Sequence, residues 1–272
     1  MKRRPLGPLH LLAFVAISCI GRSVTPVDPV AASPSGTLIA QRTDTLTISI
    51  VNGGDTTHAG LAIDRVFRGT LDDGREIISR IFETNSPLLG VSRQRMVDLV
   101  DSLRPVRHFV RSPARIAELE FDGVEVRGWT RAIDGGDRRE IVDFIAPGVI
   151  NSASFDLFVR SMELELGSSA SIAAYNGRTS TIDRLTATVT HRVFWSMVGE
   201  SVSFVESEVN DFQTTFVVGT VTRRLWGFWI DIPAIGRVVY RSLEVQDLPN
   251  PYTELRPAKL HDHSRSAPTV VT

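Results

Sequence analysis

The sequence has little cysteine and almost no lysine. Cys19 is the one cysteine in 272 residues, so a disulfide framework is excluded and the folded part must depend on its own core. Lys2 and Lys259 are the only lysines, and the other basic residues are arginine. Because 30 basic residues are balanced by 31 acidic ones, the chain lacks the basic surplus that nucleic-acid binding needs. We therefore expect no nucleic-acid partner.

The common catalytic motifs are also absent. The sequence contains no G-x-S-x-G nucleophile elbow, no H-E-x-x-H zinc motif, no phosphate-binding loop and no dinucleotide glycine pattern. His58, His108 and His191 are isolated from one another, and the carboxylates of Asp98 and Asp101 are typical of turns and surfaces. The sequence thus predicts no catalytic residue, no metal site and no cofactor. A hydrolase is a third hypothesis, which a cluster of His108 or His191 with a carboxylate and a serine would favour.

The N-terminus has the layout of an export signal. Lys2, Arg3 and Arg4 precede a short apolar stretch at 11–17, which is too short for a permanent membrane helix. The AISC sequence that ends at Cys19 resembles the box of bacterial lipoproteins, with alanine where leucine is usual. This resemblance implies an export signal at 1–19, lipidation of Cys19, a membrane anchor, and a location in the periplasm or on the outer membrane. The alternative is an ordinary cleaved signal.

Composition divides the rest of the chain into three parts. Residues 20–40 contain three prolines and no sustained periodicity, which predicts a flexible linker. Residues 41–246 are rich in alternating apolar and polar positions, and we expect one antiparallel β domain there. Residues 247–272 contain four prolines and scattered charge, which predicts a disordered tail.

The body has the period of two that is typical of strands. In TLTISIV, at 45–51, three apolar residues alternate with Thr and Ser, and the strand ends at an Asn-Gly-Gly-Asp turn. In AELEFDGVEVRG, at 117–128, Asp122-Gly123 predicts a two-residue hairpin turn, which would place Leu119 opposite Val126 and Glu118 opposite Arg127. Similar turn signals recur between the strand segments, and they predict a mainly β fold with a single curved antiparallel sheet or half-open barrel.

One segment has helical spacing instead. In NSASFDLFVRSM, at 151–162, Asn151 or Ser152 is a suitable N-cap, and four large apolar residues follow at intervals of three and four. We expect one short helix that covers the face of the sheet.

The densest aromatic stretch is RRLWGFWIDI, at 223–232. Strict alternation would place Trp226 with Phe228 on one face and Trp229 on the other, with Gly227 leaving space for a cavity. Together with Trp195, these aromatic residues are the candidate ligand-binding residues.

This stretch also carries a family resemblance. Leu103-Arg104-Pro105 after an early strand, the run from Phe228 to Asp231 and the strand from Arg237 to Arg241 resemble exported bacterial β proteins of a domain-of-unknown-function family. By architecture that family is similar to the half-barrel of periplasmic lipoprotein carriers and receptors. The resemblance implies a curved antiparallel sheet that is capped by a helix and open to an apolar ligand.

Two functions agree with these patterns. The first is a non-enzymatic cell-envelope lipoprotein that binds a lipid or other apolar ligand on the concave face of its sheet. The alternative is a structural or assembly protein that docks another envelope protein through its strand edges.

Overall fold

The computed structural model describes residues 34–209 and 212–249, and in these ranges the fold is mainly β. Two short 3₁₀ turns, Gly36–Leu38 and Ser152–Ser154, accompany one helix, α1 (Phe155–Ser161). The strands are β1 (Arg42–Asn52), β2 (Asp55–Thr70), β3 (Glu76–Ser86), β4 (Gly90–Leu99), β5 (Pro105–Arg111), β6 (Arg115–Asp122), β7 (Glu125–Ala132), β8 (Arg139–Phe144), β9 (Ile150–Asn151), β10 (Ser169–Asn176), β11 (Thr181–Trp195), β12 (Glu200–Val209), β13 (Phe212–Gly219), β14 (Leu225–Ile232) and β15 (Gly236–Ser242).

All fifteen strands belong to one sheet. Its order is β8-β7-β6-β5-β4-β3-β2-β1-β15-β14-β13-β12-β11-β10-β9. Consecutive strands therefore pair within β1–β8 and within β9–β15, and the first strand pairs with the last. Every pairing is antiparallel except that of β9 with β10. The sheet is not closed by hydrogen bonds between its ends, in agreement with the predicted half-open barrel.

The two ends of the sheet meet through side chains. A buried apolar cluster joins Phe121 and Ile141, from β6 and β8, to Tyr175 on β10. The rings of Phe121 and Tyr175 pack edge to face with their centroids 6.0 Å apart. Tyr175 Oη also donates a hydrogen bond to Asp143 on β8. We call this contact between β6–β8 and β10–β11 the seam, and it gives the open sheet a barrel-like curvature.

The helix α1 fills the interior of the curved sheet. Asn151 caps the 3₁₀ turn that precedes it, because its side chain accepts a hydrogen bond from the Ala153 backbone N–H at 3.0 Å. Six of the seven residues of α1 are buried, and Phe158 and Val159 belong to the main core cluster. The predicted covering helix is present, but it is shorter than the 151–162 segment and is enclosed on nearly all sides.

Three strands and one hairpin register differ from the sequence analysis. β4 and β10 were not predicted, because the inward positions of β4 include Ser92 and Gln94, and β10 consists largely of small residues. The two-residue strand β9 was also not predicted, and it overlaps the start of the predicted helical segment. In the β6–β7 hairpin the predicted register is wrong. Gly123 takes its positive φ of 62° at the first of two turn positions, as in a type II′ turn, so Phe121 lies opposite Val126 and Glu120 opposite Arg127.

The boundaries of the folded body also lie further out than predicted. Ile39, assigned to the linker, is fully buried in the core, and the Arg68 guanidinium donates to three carbonyl groups of residues 36–39. Leu248, assigned to the tail, packs against the apolar cluster around Trp195. Residues 20–33 of the predicted linker, the export signal with Cys19, and the tail beyond 249 lie outside the described residues. Within the described ranges, no helix has the length and apolarity needed to cross a membrane.

Candidate functional site

The interior of the curved sheet contains a cavity. Its volume is about 190 Å³, on the order of ten times the space that one water molecule needs. The wall is formed by β3–β6 on one side and β12–β15 on the other, with the start of α1, the turn before it and the end of β10. The cavity is therefore lined by elements that are distant in sequence and are brought together only by the curvature of the sheet.

One side of the cavity is an aromatic wall. Phe228 stacks on Tyr240 with ring centroids 4.3 Å apart, and Phe82 packs against both rings at 6.2 and 5.9 Å. Phe216 lies 5.9 Å from Phe228 and extends the wall toward Phe155 of α1. Four aliphatic residues of β14 and β15 extend this lining: Leu225, Ile230, Ile232 and Val238. This surface offers rings and aliphatic groups that suit an apolar ligand.

Of the four predicted ligand-binding aromatic residues, only Phe228 lines the cavity. Trp226, Trp229 and Trp195 pack with one another on the opposite face of the sheet, where the indoles of Trp195 and Trp226 lie 5.8 Å apart. The predicted face of Trp226 is wrong because β14 contains a bulge. Leu225 and Gly227 pair with consecutive residues of β13, so Trp226 is the extra residue, and its side chain points away from the cavity.

Gly227 has a packing role rather than the predicted role of leaving space for a ligand. A Cβ atom at this position would lie 2.5 Å from the Tyr240 carbonyl oxygen and 2.9 Å from the side chain of Leu248. Glycine therefore permits the close approach of β15 and of the segment that contains Leu248, on the face opposite the cavity.

A buried ion network borders the cavity below the aromatic wall. Arg80 donates to Asp64 and to Asp156, each at 2.7 Å, and its guanidinium lies 4.8 Å from the centre of the Phe82 ring. Arg160 approaches both carboxylates at 3.7 Å. Burial raises the pKa of Asp156, and the charge of Arg80 acts in the opposite direction. Two arginines and two aspartates make the network neutral as a whole.

Asp98 lies beside this network and is fully buried. It accepts a hydrogen bond from Ser154 Oγ at 2.7 Å, while its second oxygen has no hydrogen-bond partner. Burial raises the pKa of Asp98 to about 8, because desolvation penalises the charged form more than the serine hydroxyl stabilises it. The prediction that Asp98 is a surface or turn residue is wrong.

A second polar group of the wall is formed by His108 and Arg115. His108 is 7% exposed, and its Nε2 atom has no hydrogen-bond partner in the described structure. Burial, together with the nearby charge of Arg115, lowers the pKa of His108 to about 3, so the imidazole is neutral at pH 7. Burial lowers the pKa of Arg115 to about 10, and the charges of Arg178 and Arg139 contribute.

The arrangement lacks the contacts of a hydrolytic triad. A general base needs a hydrogen bond to its nucleophile and a pKa near the working pH, and His108 has neither of these. His191 is elsewhere, on the opposite face, where its ring packs against Phe204 at 6.3 Å. Across residues 34–209 and 212–249, no group of three or more His, Cys, Asp or Glu side chains is arranged to hold a metal ion.

The sequence analysis missed the charged residues of the cavity, although the sequence contains a signal for some of them. Arg80 lies between Ile78 and Phe82 at a spacing of two, and Asp64 lies between Ala62 and Val66 in the same way. A charged residue in phase with an apolar face is expected to be buried and paired. His108 lies between Val106 and Val110 in the same phase, whereas Arg115, the first residue of β6, has no such flanking pair in its strand.

These observations define a class: a curved antiparallel β-sheet protein with an interior cavity that is apolar on one side and polar on the other. No family model and no curated protein matches the sequence. Among solved structures, the chain is similar to a β-barrel-like protein of the domain of unknown function DUF1849 from Brucella abortus. The identity is 5%, the TM-score is 0.47, and the match covers 75% of this chain and 96% of that one. The similar structure is thus a β protein of unknown function, and the likeness to lipoprotein carriers stays a prediction.

Proposed function

We propose that the chain is a non-enzymatic binding module of the cell envelope that holds a lipid or other apolar ligand. The observation that carries the proposal is the aromatic wall of the interior cavity, in which Phe82, Phe228 and Tyr240 contact one another and line the cavity. Such a surface is stabilised by an apolar occupant, because each Å² of apolar area removed from water contributes about 25 cal/mol.

The polar side of the cavity favours binding over catalysis. His108 is too weak a base for proton transfer near neutral pH, and the carboxylate of Asp156 is held by Arg80. The cavity therefore offers orientation and burial rather than a nucleophile.

The location in the envelope rests on the sequence of residues 2–19. A lipid on Cys19 would anchor the chain to a membrane, and the segment after it would tether the β domain nearby. In this arrangement the cavity would take its ligand from the membrane surface or deliver it there.

Native mass spectrometry of the purified full-length protein, followed by lipid extraction, tests the proposal. The expected result is a stoichiometric non-covalent adduct that disappears on denaturation and extracts as a lipid. A covalent lipid on Cys19 would persist in the denatured spectrum, so the two kinds of lipid are distinguishable. A ligand-free native mass, together with no binding of the apolar fluorophore N-phenyl-1-naphthylamine, would contradict the proposal.

A second function, strand addition to another envelope protein, is favoured by β8. This strand ends the sheet, and Val142 and Phe144 on it are 63% and 72% exposed. An unpaired edge with exposed apolar side chains is a suitable template for a partner strand. Crosslinking of the wild type and of a Val142→Asp, Phe144→Asp double variant in the envelope would test it. A specific partner that is lost in the variant supports docking, and unchanged crosslinks contradict it.

A further inference from the structure

We infer that the ligand is a single-chain amphiphile with an anionic carboxylate head, bound by Arg115 and His108 on the polar side of the cavity. This inference rests on the proposed function and adds the chemical class of the ligand. It depends on three observations. Within the described residues, Arg115 has no carboxylate partner, the buried Nε2 atom of His108 has no hydrogen-bond partner, and the aromatic wall lines the same cavity.

The first observation is the charge balance of the cavity lining. Arg80, Arg115 and Asp156 are the charged side chains that line it in the described ranges. Arg80 and Asp156 pair at 2.7 Å within the neutral ion network, whereas Arg115 has no carboxylate within salt-bridge distance in the described structure. Asp98, with its raised pKa of about 8, is largely protonated at pH 7 and does not compensate Arg115. One positive charge therefore remains.

The surroundings of Arg115 strengthen the positive potential. Arg139, at the start of β8, and Arg178, in the turn after β10, lie close enough for their charges to lower the pKa of Arg115. An anion bound at Arg115 would offset the repulsion that Arg139 and Arg178 exert on its guanidinium.

The second observation is the unpartnered Nε2 atom of His108. Buried polar atoms nearly always have a hydrogen-bond partner, and one without a partner is costly. Because the imidazole is neutral, its Nε2–H tautomer can donate to an oxygen atom without adding charge. His108 and Arg115 line the same cavity, so a single ligand head can accept from both.

The third observation concerns the apolar part of the ligand. The aromatic wall and the aliphatic residues of β14 and β15 line the same cavity as these polar groups, and they suit an alkyl chain. A guanidinium binds a carboxylate through two parallel hydrogen bonds. One uncompensated cation matches one negative charge, which favours a carboxylate over a phosphate dianion.

The test is a competition between dodecanoate and dodecanol, which have the same chain length and differ in the head. Equimolar amounts are added to the full-length protein at pH 7.5, and native mass spectrometry gives the ratio of the two adducts. We expect the wild type to prefer dodecanoate by about tenfold or more. Arg115→Gln should lower this preference to near one without reducing the dodecanol adduct, and His108→Leu should lower it by about threefold or more.

A matched control removes the same charge from the other face of the sheet. Arg131 is exposed on β7 and lies opposite Ile116, the residue that follows Arg115 in β6. Arg131→Gln should retain the wild-type preference. Arg115→Lys keeps the charge but loses the two parallel hydrogen bonds, so we expect an intermediate preference. This variant replaces Arg115→Gln if the latter fails to fold.

The outcomes separate the inference from the proposed function. Equal binding of dodecanoate and dodecanol by the wild type would overturn the carboxylate inference and leave the apolar cavity in place. A full preference for dodecanoate in both Arg115 variants would show that the head binds elsewhere, and would also overturn it. If neither compound binds, the proposed function fails, and the inference fails with it.

Discussion

Arg80 Nη1 lies 2.7 Å from Asp156 Oδ1, and this contact joins the wall of the sheet to the helix inside it. The two side chains are each 7% exposed. Arg80 also binds Asp64 on the neighbouring strand β2, so one guanidinium fixes α1 relative to two strands. The position of α1 in turn defines the end of the cavity, because Phe155 and Asp156 line it.

Removal of Arg80 should destabilise the protein strongly. Arg80→Leu leaves the carboxylates of Asp64 and Asp156 buried with one fewer cation, and we expect a loss of about 3–5 kcal/mol in the free energy of unfolding. Urea denaturation followed by circular dichroism measures it. The control is Arg107→Leu, since Arg107 pairs with Glu120 where both side chains are more than half exposed. That change should cost less than about 1 kcal/mol. Equal losses in both variants would show that the buried ion network contributes no more to stability than the exposed pair of Arg107 and Glu120.

Asp98 should make stability depend on pH. Its pKa of about 8 in the folded protein lies above the ordinary value of about 4 that it takes in the unfolded chain. Between these values the unfolded chain releases a proton that the folded protein keeps, so the free energy of unfolding falls as the pH rises. Asp98→Asn removes this contribution to the pH dependence of stability.

We therefore expect Asp98→Asn to gain stability relative to wild type, by about 1 kcal/mol or more, between pH 5 and pH 8. Urea denaturation at both pH values gives the difference. Asp101→Asn is the matched control, because Asp101 is exposed three residues away, and its difference from wild type should not change with pH. If the stability difference between Asp98→Asn and wild type is also the same at both pH values, Asp98 is ionised over this whole range.

Phe228 and Trp229 are neighbours on opposite faces of β14, and they should affect ligand binding differently. Phe228→Ala removes the ring that stacks on Tyr240 in the aromatic wall, and we expect the affinity for N-phenyl-1-naphthylamine to fall by about tenfold. Trp229→Ala should leave this affinity within about twofold of wild type, because Trp229 packs on the opposite face. Fluorescence titration measures both. A larger loss in Trp229→Ala would place the ligand outside the interior cavity.

Tyr175 should hold the two ends of the sheet together. Tyr175→Phe keeps the ring in the seam but removes the hydrogen bond to Asp143, and we expect a loss of about 1–2 kcal/mol. Hydrogen–deuterium exchange should become about tenfold faster in β8 and remain unchanged in β1 and β2, which lie in the middle of the sheet. Tyr240→Phe is the control, because Tyr240 lies in the cavity away from β8. Unchanged exchange in β8 would show that apolar packing alone closes the seam.

Local sequence patterns were enough to predict the kind of fold. Leu46 and Ile48 alternate with polar residues in β1, and the alternation holds because neighbouring side chains of a strand point to opposite faces. Asn151 marked the start of the helical segment, because capping depends only on the next few backbone groups. These are local rules, so they can be read without knowing which strands pair.

The cavity and its polar groups, in contrast, depend on contacts between residues that are distant in sequence. Trp226 lies away from the cavity because of a bulge in the pairing of β14 with β13, and strict alternation along one strand cannot reveal a bulge. Arg80 is compensated by Asp64 and Asp156, which are 16 and 76 residues away, whereas Arg115 is left without such a partner. The chemistry of a buried charge depends on what the fold places within a few ångströms of it. That distance is set by the curvature of the whole sheet and not by the spacing of residues along the chain.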